Sequence, residues 1–200
     1  MNVPERLAIA SRNAHKLREL GRICADWPVA WITVENHSGP WPDLEEPHDS
    51  YRENALAKAR EVAAALGVPA VADDSGIEVD ALDGGPGPRS ARFAGTDATD
   101  AENLAKLIET IAATEPVRRT ARYRCVGAIA WPEGASLAAE GLCEGSLVPL
   151  PRGPGGFGYD PVFVPEGSAR TMAELTDEEK DAISHRGRAF RALRDLLVAG

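Results

Sequence analysis

Val71-Ala72-Asp73-Asp74-Ser75-Gly76 sets two adjacent carboxylates directly behind a short apolar run. Residues 68–72 are β-branched and Ala-rich, which reads as a buried strand. That strand is expected to end at Ala72, with the acids at its end. Strand ends at the edge of an α/β sheet are where ligands usually bind. Two like charges side by side repel unless a cation neutralises them. Hard oxygen ligands suit Mg²⁺, which most often arrives with a substrate phosphate. Asp, Ser and Gly are also common turn residues, so the hexapeptide alone fits a solvated turn equally well.

Working outward, the upstream chain alternates strand and helix. Leu7 to Ala10 reads as a buried first strand, and Asn13 as the cap of a helix with Leu17, Leu20 and Cys24 on one face. Ala30 to Val34 reads as a second strand. A polar loop follows, from Asn36 to Ser50. A second helix runs from Tyr51 to Leu66, with Leu56, Ala59, Ala63 and Leu66 on one face, and Gly67 stops it. Downstream, Ile77 to Leu82 continues beyond the acids and Asp83 to Gly95 is a Gly/Pro-rich loop. Thr99 caps a helix over Ala101 to Ala113. Arg119 to Trp131 and Ser136 to Leu147 read as long strands joined through Pro132-Glu133-Gly134. Tyr159 to Val164 reads as another strand, Glu178 to Lys180 as a helical turn, and Ser184 to Val198 as a last helix. Helix alternation first and strands later predict an α/β chain with a mixed sheet in one domain over residues 1–200.

A net charge of −9 argues against broad binding to nucleic acid or an anionic membrane, which needs a basic surface. Cys24, Cys125 and Cys143 are widely spaced with no CxxC, so they read as small buried hydrophobes in a reducing compartment. No signal peptide and no run long enough to span a membrane are evident, so a cytoplasmic location is expected.

Several further segments carry candidate chemistry. Ser11-Arg12-Asn13-Ala14-His15-Lys16 opens the first helix, whose N–H groups and positive dipole end suit phosphate, with Lys16 one turn in. The loop lacks GxxxxGK[ST], which disfavours a Walker-type NTPase. Glu45-Glu46 and Asp74 form a candidate cation site, and Lys58 lies on the helix that follows. Glu45-Glu46 and Lys58, each read alone, are ordinary solvated surface. In Gly156-Phe157-Gly158-Tyr159-Asp160-Pro161, glycines flank an aromatic that can present a face to a flat base. The bland alternative is a core aromatic beside a turn. Lys180 and Ser184-His185-Arg186 gather donors at the start of the last helix, where cations are unfavourable without a counter-anion.

Taken in order, these segments resemble the inosine triphosphate pyrophosphatase family. The motifs are Ser11-x-Asn13-x-x-Lys16, Glu45-Glu46, Glu53-Asn54-Ala55 with Lys58, Ala72-Asp73-Asp74-Ser75-Gly76, and Pro86-Gly87-x-x-Ser90-Ala91-Arg92-Phe93-Ala94-Gly95. Gly156-Phe157-Gly158-Tyr159-Asp160-Pro161 and Thr171-Met172-Ala173-Glu174-Leu175, leading to Lys180 and Ser184-His185-Arg186, complete the set. Met172 and Phe93 stand where the family more often has Phe and Tyr, and Arg12 replaces a frequent Gly. The resemblance implies an elongated mixed sheet flanked by helices, with two lobes and a cleft between them, usually as a homodimer. It implies hydrolysis of noncanonical purine nucleoside triphosphates (ITP, dITP, XTP) to the monophosphate and pyrophosphate, with Mg²⁺ as cofactor. Asp74 is then the general base and a metal ligand with Glu45 and Glu46, and Asp73 a supporting acid. Ser11 to Lys16, Lys58 and Ser75 bind the triphosphate. Phe157 stacks on the purine, Gly158 and Tyr159 complete that loop, and Asp160 binds the N1 edge or anchors the loop. Lys180, His185 or Arg186 donates to the 6-oxo group. Open alternatives are a pyrophosphatase for modified pyrimidine nucleotides, a phosphomonoesterase that releases orthophosphate, and a non-catalytic nucleotide-binding module.

Overall fold

In chain order the elements are β1 (Arg6–Ile9), α1 (Ala14–Ile23), β2 (Ala30–Ile32), α2 (Tyr51–Leu66), β3 (Ala70–Val79), α3 (Asp100–Ala112), β4 (Thr120–Ala130), β5 (Ser136–Leu147), β6 (Phe163–Pro165), α4 (Asp177–Ile183) and α5 (His185–Ala199). They come from a computed structural model that describes residues 3–112, 114–115 and 118–199. One six-stranded sheet runs in the order β2-β1-β3-β4-β5-β6. It is mixed: β1 pairs in parallel with β2 and with β3, while β5 and β6 are antiparallel.

Local chemistry explains the helices that matter for function. Asn13 caps α1: its side-chain oxygen accepts from the backbone N–H groups of His15 (2.9 Å) and Lys16 (3.1 Å). Ser50 caps α2, and Gly67 ends it in the left-handed conformation at φ 64°, which a side chain would resist. Thr99 and Glu102 cap α3 reciprocally, the Thr99 hydroxyl accepting from Glu102 N and the Glu102 carboxylate from Thr99 N. The expected end of this helix at Ala113 lies outside the described residues.

Three strand expectations need correction. β2 stops at Ile32 rather than Val34. β6 begins at Phe163, because Tyr159 to Val162 are used in turns: Asp160 N donates to Phe157 O and Val162 N to Tyr159 O. Most consequentially, β3 does not end at Ala72. It continues through both acids to Val79, paired between β1 and β4.

The chain divides into two compact units. The first comprises the chain up to Asp74, Cys125–Gly141 and the chain from Arg186 onward. The second comprises Ser75–Arg124 and Leu142–His185. In the first unit, strand alternation sorts the core onto two faces. Leu7, Ile9, Val71, Cys125 and Ile129 pack with Leu17 and Leu20 of α1 and Phe190, Leu193 and Leu197 of α5. Ala8, Ala10, Ala70, Ala72, Val126 and Ala128 pack with Ala55, Ala59, Val62 and Ala63 of α2. The second unit has its own core of Ile77, Val79, Leu107, Ile111, Tyr123, Leu147, Phe163 and Met172. Cys24, Cys125 and Cys143 are all buried thiols. Among the described residues, no helix is long and apolar enough to cross a membrane.

Candidate active site

The alternation that sorts the core also separates the two acids. Val71 faces α1 and α5, so Asp73, two residues on, faces the same way. Ala72 faces α2, so Asp74 does too. Both are almost wholly buried, at 1% and 2% exposed, so each needs partners from its own face.

Asp73 finds cations. Arg186, from the first turn of α5, donates to Asp73 Oδ2 through Nε (3.2 Å) and Nη2 (3.0 Å), and Lys16 Nζ of α1 lies 3.2 Å from the same oxygen. Arg186 also pairs through Nη1 with Glu19 of α1. The buried Glu19, Arg186 and Asp73 and the half-buried Lys16 therefore form a continuous chain of alternating charge. Burial alone would raise the Asp73 pKa, but Arg186, Lys16 and Lys58 overcome it and hold the carboxyl far below the usual range. Burial likewise works to lower the Lys16 pKa, but Asp73, Asp74 and Glu46 lift it above its ordinary value. Asp73 is thus a fixed anion and Lys16 a fixed cation.

Asp74 has a different environment. Its Oδ2 accepts from Asn54 Nδ2 of α2 at 2.9 Å, and Asn54 is locked by two bonds with the His48 backbone. Lys58, one turn along α2, pairs with Glu46 of the polar loop. Burial pushes the Asp74 carboxyl up and the Glu46 charge adds to this, against the pull of Lys58 and Lys16. Burial also works to raise the Glu46 pKa, but Lys58 and Lys16 outweigh it and hold the group down. A carboxylate pushed up by burial and by a neighbouring carboxylate is a proton acceptor that a divalent cation would relieve. Among the described residues, no three His, Cys, Asp or Glu side chains form a ready-made cation cage. Two hard carboxylates facing α2 fit Mg²⁺, which commonly takes one or two protein carboxylates and fills its shell with phosphate and water.

The second unit holds a separate polar group centred on Asp160, 3% exposed. Its carboxylate accepts from Lys180 Nζ (2.5 Å), Phe157 N (2.9 Å) and Tyr123 OH (3.2 Å). Lys180 Nζ also lies 4.9 Å above the half-buried Phe157 ring. His185 stacks on Tyr123 with centroids 4.5 Å apart and planes 8° from parallel. Gly156 is required here: it sits at φ 68°, and a Cβ would collide with the Asp160 carboxylate. Tyr159 OH donates to Ser90 O at 2.7 Å, and Ser90 Oγ accepts from Ile77 N. The Pro86 to Gly95 motif thereby braces the aromatic loop from behind.

Residues 7–196 match the Ham1 family. The chain belongs to the Ham1 family. It is 50% identical over 197 residues to a protein of Streptomyces coelicolor named dITP/XTP pyrophosphatase, covering 96% of this chain and 98% of that one. A Geobacter sulfurreducens protein of the same name is 45% identical over 192 residues, with 96% of each chain covered. Among solved structures, the HAM1 protein from Coxiella burnetii superposes with a TM-score of 0.85 at 41% identity, covering 98% of this chain and 99% of that one. The Staphylococcus aureus Ham1 protein gives 0.83 at 35% identity, covering 97% and 98%. The family and its members' names agree with the resemblance that the motifs carry.

In this Ham1 protein the expected site residues are dispersed over both units. Lys16, Glu46, Lys58 and Asp74 come together in the first; Phe157, Asp160, Lys180 and His185 in the second. Arg186 is not grouped with the donors of the second unit as expected: it is 1% exposed and its donors go to Asp73 and Glu19. The counter-anions that its place at a helix start demanded are the protein's own. Of the two roles open to Asp160, anchoring is the one its three donors fill. Tyr159 is turned inward to Ser90 rather than presented to a ligand. Ser75 lies within β3 and not in a loop beyond it. At the start of α1, Asn13 occupies the N–H groups of His15 and Lys16, and Ser11 Oγ accepts from Asn13 N, so the backbone donors expected for phosphate are partly used. Ala14 opens the helix. Arg12 reaches away to the Trp41 carbonyl at 2.9 Å and to Asp43 at 3.6 Å. Glu45 is exposed beside Glu46. Sequence reasoning missed Glu19 and Tyr123 and gave Asn54 no role. The one available signal was Glu19 at i+3 from Lys16, which puts both on one face of α1.

Proposed function

We propose that this Ham1 protein hydrolyses noncanonical purine nucleoside triphosphates (ITP, dITP and XTP) at the α–β phosphoanhydride bond, giving the nucleoside monophosphate and pyrophosphate. The observation that carries the reading is the division of labour between the adjacent acids. Asp73 is neutralised by Arg186 and Lys16, whereas Asp74 keeps an elevated pKa beside Glu46 and Lys58. The names of the relatives support the same substrate class.

Asp74 takes the proton of the attacking water, a role favoured by a carboxyl whose pKa is moved toward the working pH. Asn54 fixes its orientation through Oδ2. Asp74 and Glu46, with Glu45 beside them, would hold Mg²⁺, which supplies charge neutralisation of the phosphoryl oxygens when bound. Lys16 and Lys58 bind the phosphates and stabilise the charge that gathers on the departing pyrophosphate. The Ser11 to His15 segment and Ser75 are assigned to the same triphosphate. Asp73, itself fixed by Arg186, holds Lys16 in place.

In the second unit, Phe157 offers its ring to the purine, with Gly158 allowing close approach. Lys180 and His185 donate to the 6-oxo group, while Asp160 holds Lys180 and the Phe157 backbone in position. Adenine presents a 6-amino donor to the same donors and leaves them unpaired. Sites built around such hydrogen bonds reject mismatched analogues by about 10⁴-fold or more. The test is a panel of dITP, XTP, ATP and a methylated pyrimidine triphosphate with Mg²⁺. The account expects kcat/KM for dITP and XTP to exceed that for ATP by at least a hundredfold. Preference for the pyrimidine would transfer the assignment to the pyrimidine class.

A further inference from the structure

Lys58 and Glu46 form an ion pair in which each partner has another expected duty: Lys58 toward phosphate and Glu46 toward the metal. Lys58 is 6% exposed and lies on the rigid α2. Lys16 and Asp73 repeat the arrangement at 3.2 Å. The group holds four carboxylates (Glu19, Asp73, Asp74, Glu46) against three cations (Lys16, Arg186, Lys58), one negative charge in excess when all are ionised.

We propose that Lys58 is a resident cation on Glu46 which makes metal and triphosphate bind cooperatively. This rests on the function proposed above. A divalent cation arriving alone must displace Lys58 from Glu46 and then sit beside an ammonium group stripped of its carboxylate, while Lys16 stays on Asp73. A triphosphate arriving alone meets Asp74 and Glu46 with their negative charge in place. When both arrive, the carboxylates turn to the metal and the lysines to the phosphates. Every buried charge then exchanges one partner for another, and none is left bare. Linkage makes the effect reciprocal, so each ligand raises the affinity for the other by the same factor, typically about 5–150-fold. Lys58 is thereby a residue that sets the order and coupling of binding in addition to contacting phosphate.

The coupling is read by calorimetry with Mn²⁺ as the metal probe and α,β-imido-dITP as the nucleotide, with circular dichroism confirming the fold of each variant. Wild type should bind Mn²⁺ alone weakly and bind it at least tenfold more tightly when the nucleotide is saturating. In Lys58→Met, Mn²⁺ alone should bind at least fivefold more tightly than to wild type, while the coupling factor falls below threefold. Lys58→Arg should restore both wild-type values within threefold. Unchanged, weaker or unmeasurable Mn²⁺ binding to Lys58→Met overturns the proposal. The Mn²⁺-only comparison needs no nucleotide, so it decides the role of Lys58 separately from substrate identity. Failure of wild type to bind α,β-imido-dITP would count against the proposed function and against the coupling together.

Discussion

Replacing Arg186 with Met removes the middle of the buried charge chain and keeps much of the side-chain volume. Two carboxylates lose their main partner: Asp73, whose side chain is 1% exposed, and Glu19, whose side chain is 6% exposed. Breaking a buried pair from one side costs about 3–5 kcal/mol, because the remaining charge stays desolvated. Lys16 still faces Asp73, which favours the lower end of that range. For a chain of this length 1 kcal/mol moves Tm by roughly 2–4 °C, so the expected loss is roughly 6–20 °C. The pH dependence supplies a second readout. In wild type the folded Asp73 pKa is depressed, so its contribution is present above the unfolded value of about 4 and is lost as pH falls below it. Arg186→Met should weaken this acid-side loss, and the double variant with Asp73→Asn should be less destabilised than the two single changes summed. Thermal unfolding followed by circular dichroism between pH 3 and 8 measures all three quantities. A loss below about 1 kcal/mol with an unchanged acid limb would refute the claim that this chain of charges holds the site together.

Asp74→Asn should lower kcat about 10²–10⁴-fold without loss of Tm at neutral pH, because it removes a base and also a carboxyl that is costly to ionise in the fold. Steady-state kinetics and a melting curve on one preparation check it. Tyr159→Phe deletes the donor to Ser90 O and leaves a buried acceptor, a cost of about 1–3 kcal/mol. KM for dITP should rise while kcat holds, and a fall in kcat alone would contradict the bracing role. At alkaline pH the buried Cys24 thiol, pushed up to about 12 by desolvation, stays neutral in the fold while the unfolded chain ionises. Its contribution is therefore intact below the unfolded thiol pKa and declines above it by about 1.4 kcal/mol per pH unit. Urea denaturation of wild type and Cys24→Ala from pH 8 to 11 should show the shallower decline in the variant.

The elements whose signals are local were legible in the sequence. Asn13 capping α1, Gly67 ending α2, the Thr99 cap and the strand Ser136–Leu147 all rest on propensity and spacing within a few residues. The acid pair was misread as a strand end because Asp, Ser and Gly disfavour strands. A place in the sheet beside β4 and cations from two faces override that preference, and those partners are far away in sequence. Arg186 is 113 residues from Asp73 and 167 from Glu19. For the same reason Lys58 reads as a surface lysine, though it is buried against a single carboxylate. Strand alternation was the one long-range inference available from the hexapeptide. Had β3 been carried through it, Asp73 and Asp74 would have been assigned to opposite faces from sequence alone.

The most direct test is ³¹P NMR of dITP incubated with the protein and Mg²⁺, with dATP run in parallel. The account predicts dIMP and pyrophosphate in equal amounts from the first time point, with dATP consumed at least a hundredfold more slowly. Release of orthophosphate as the first product, or consumption of dATP at the same rate, would contradict it.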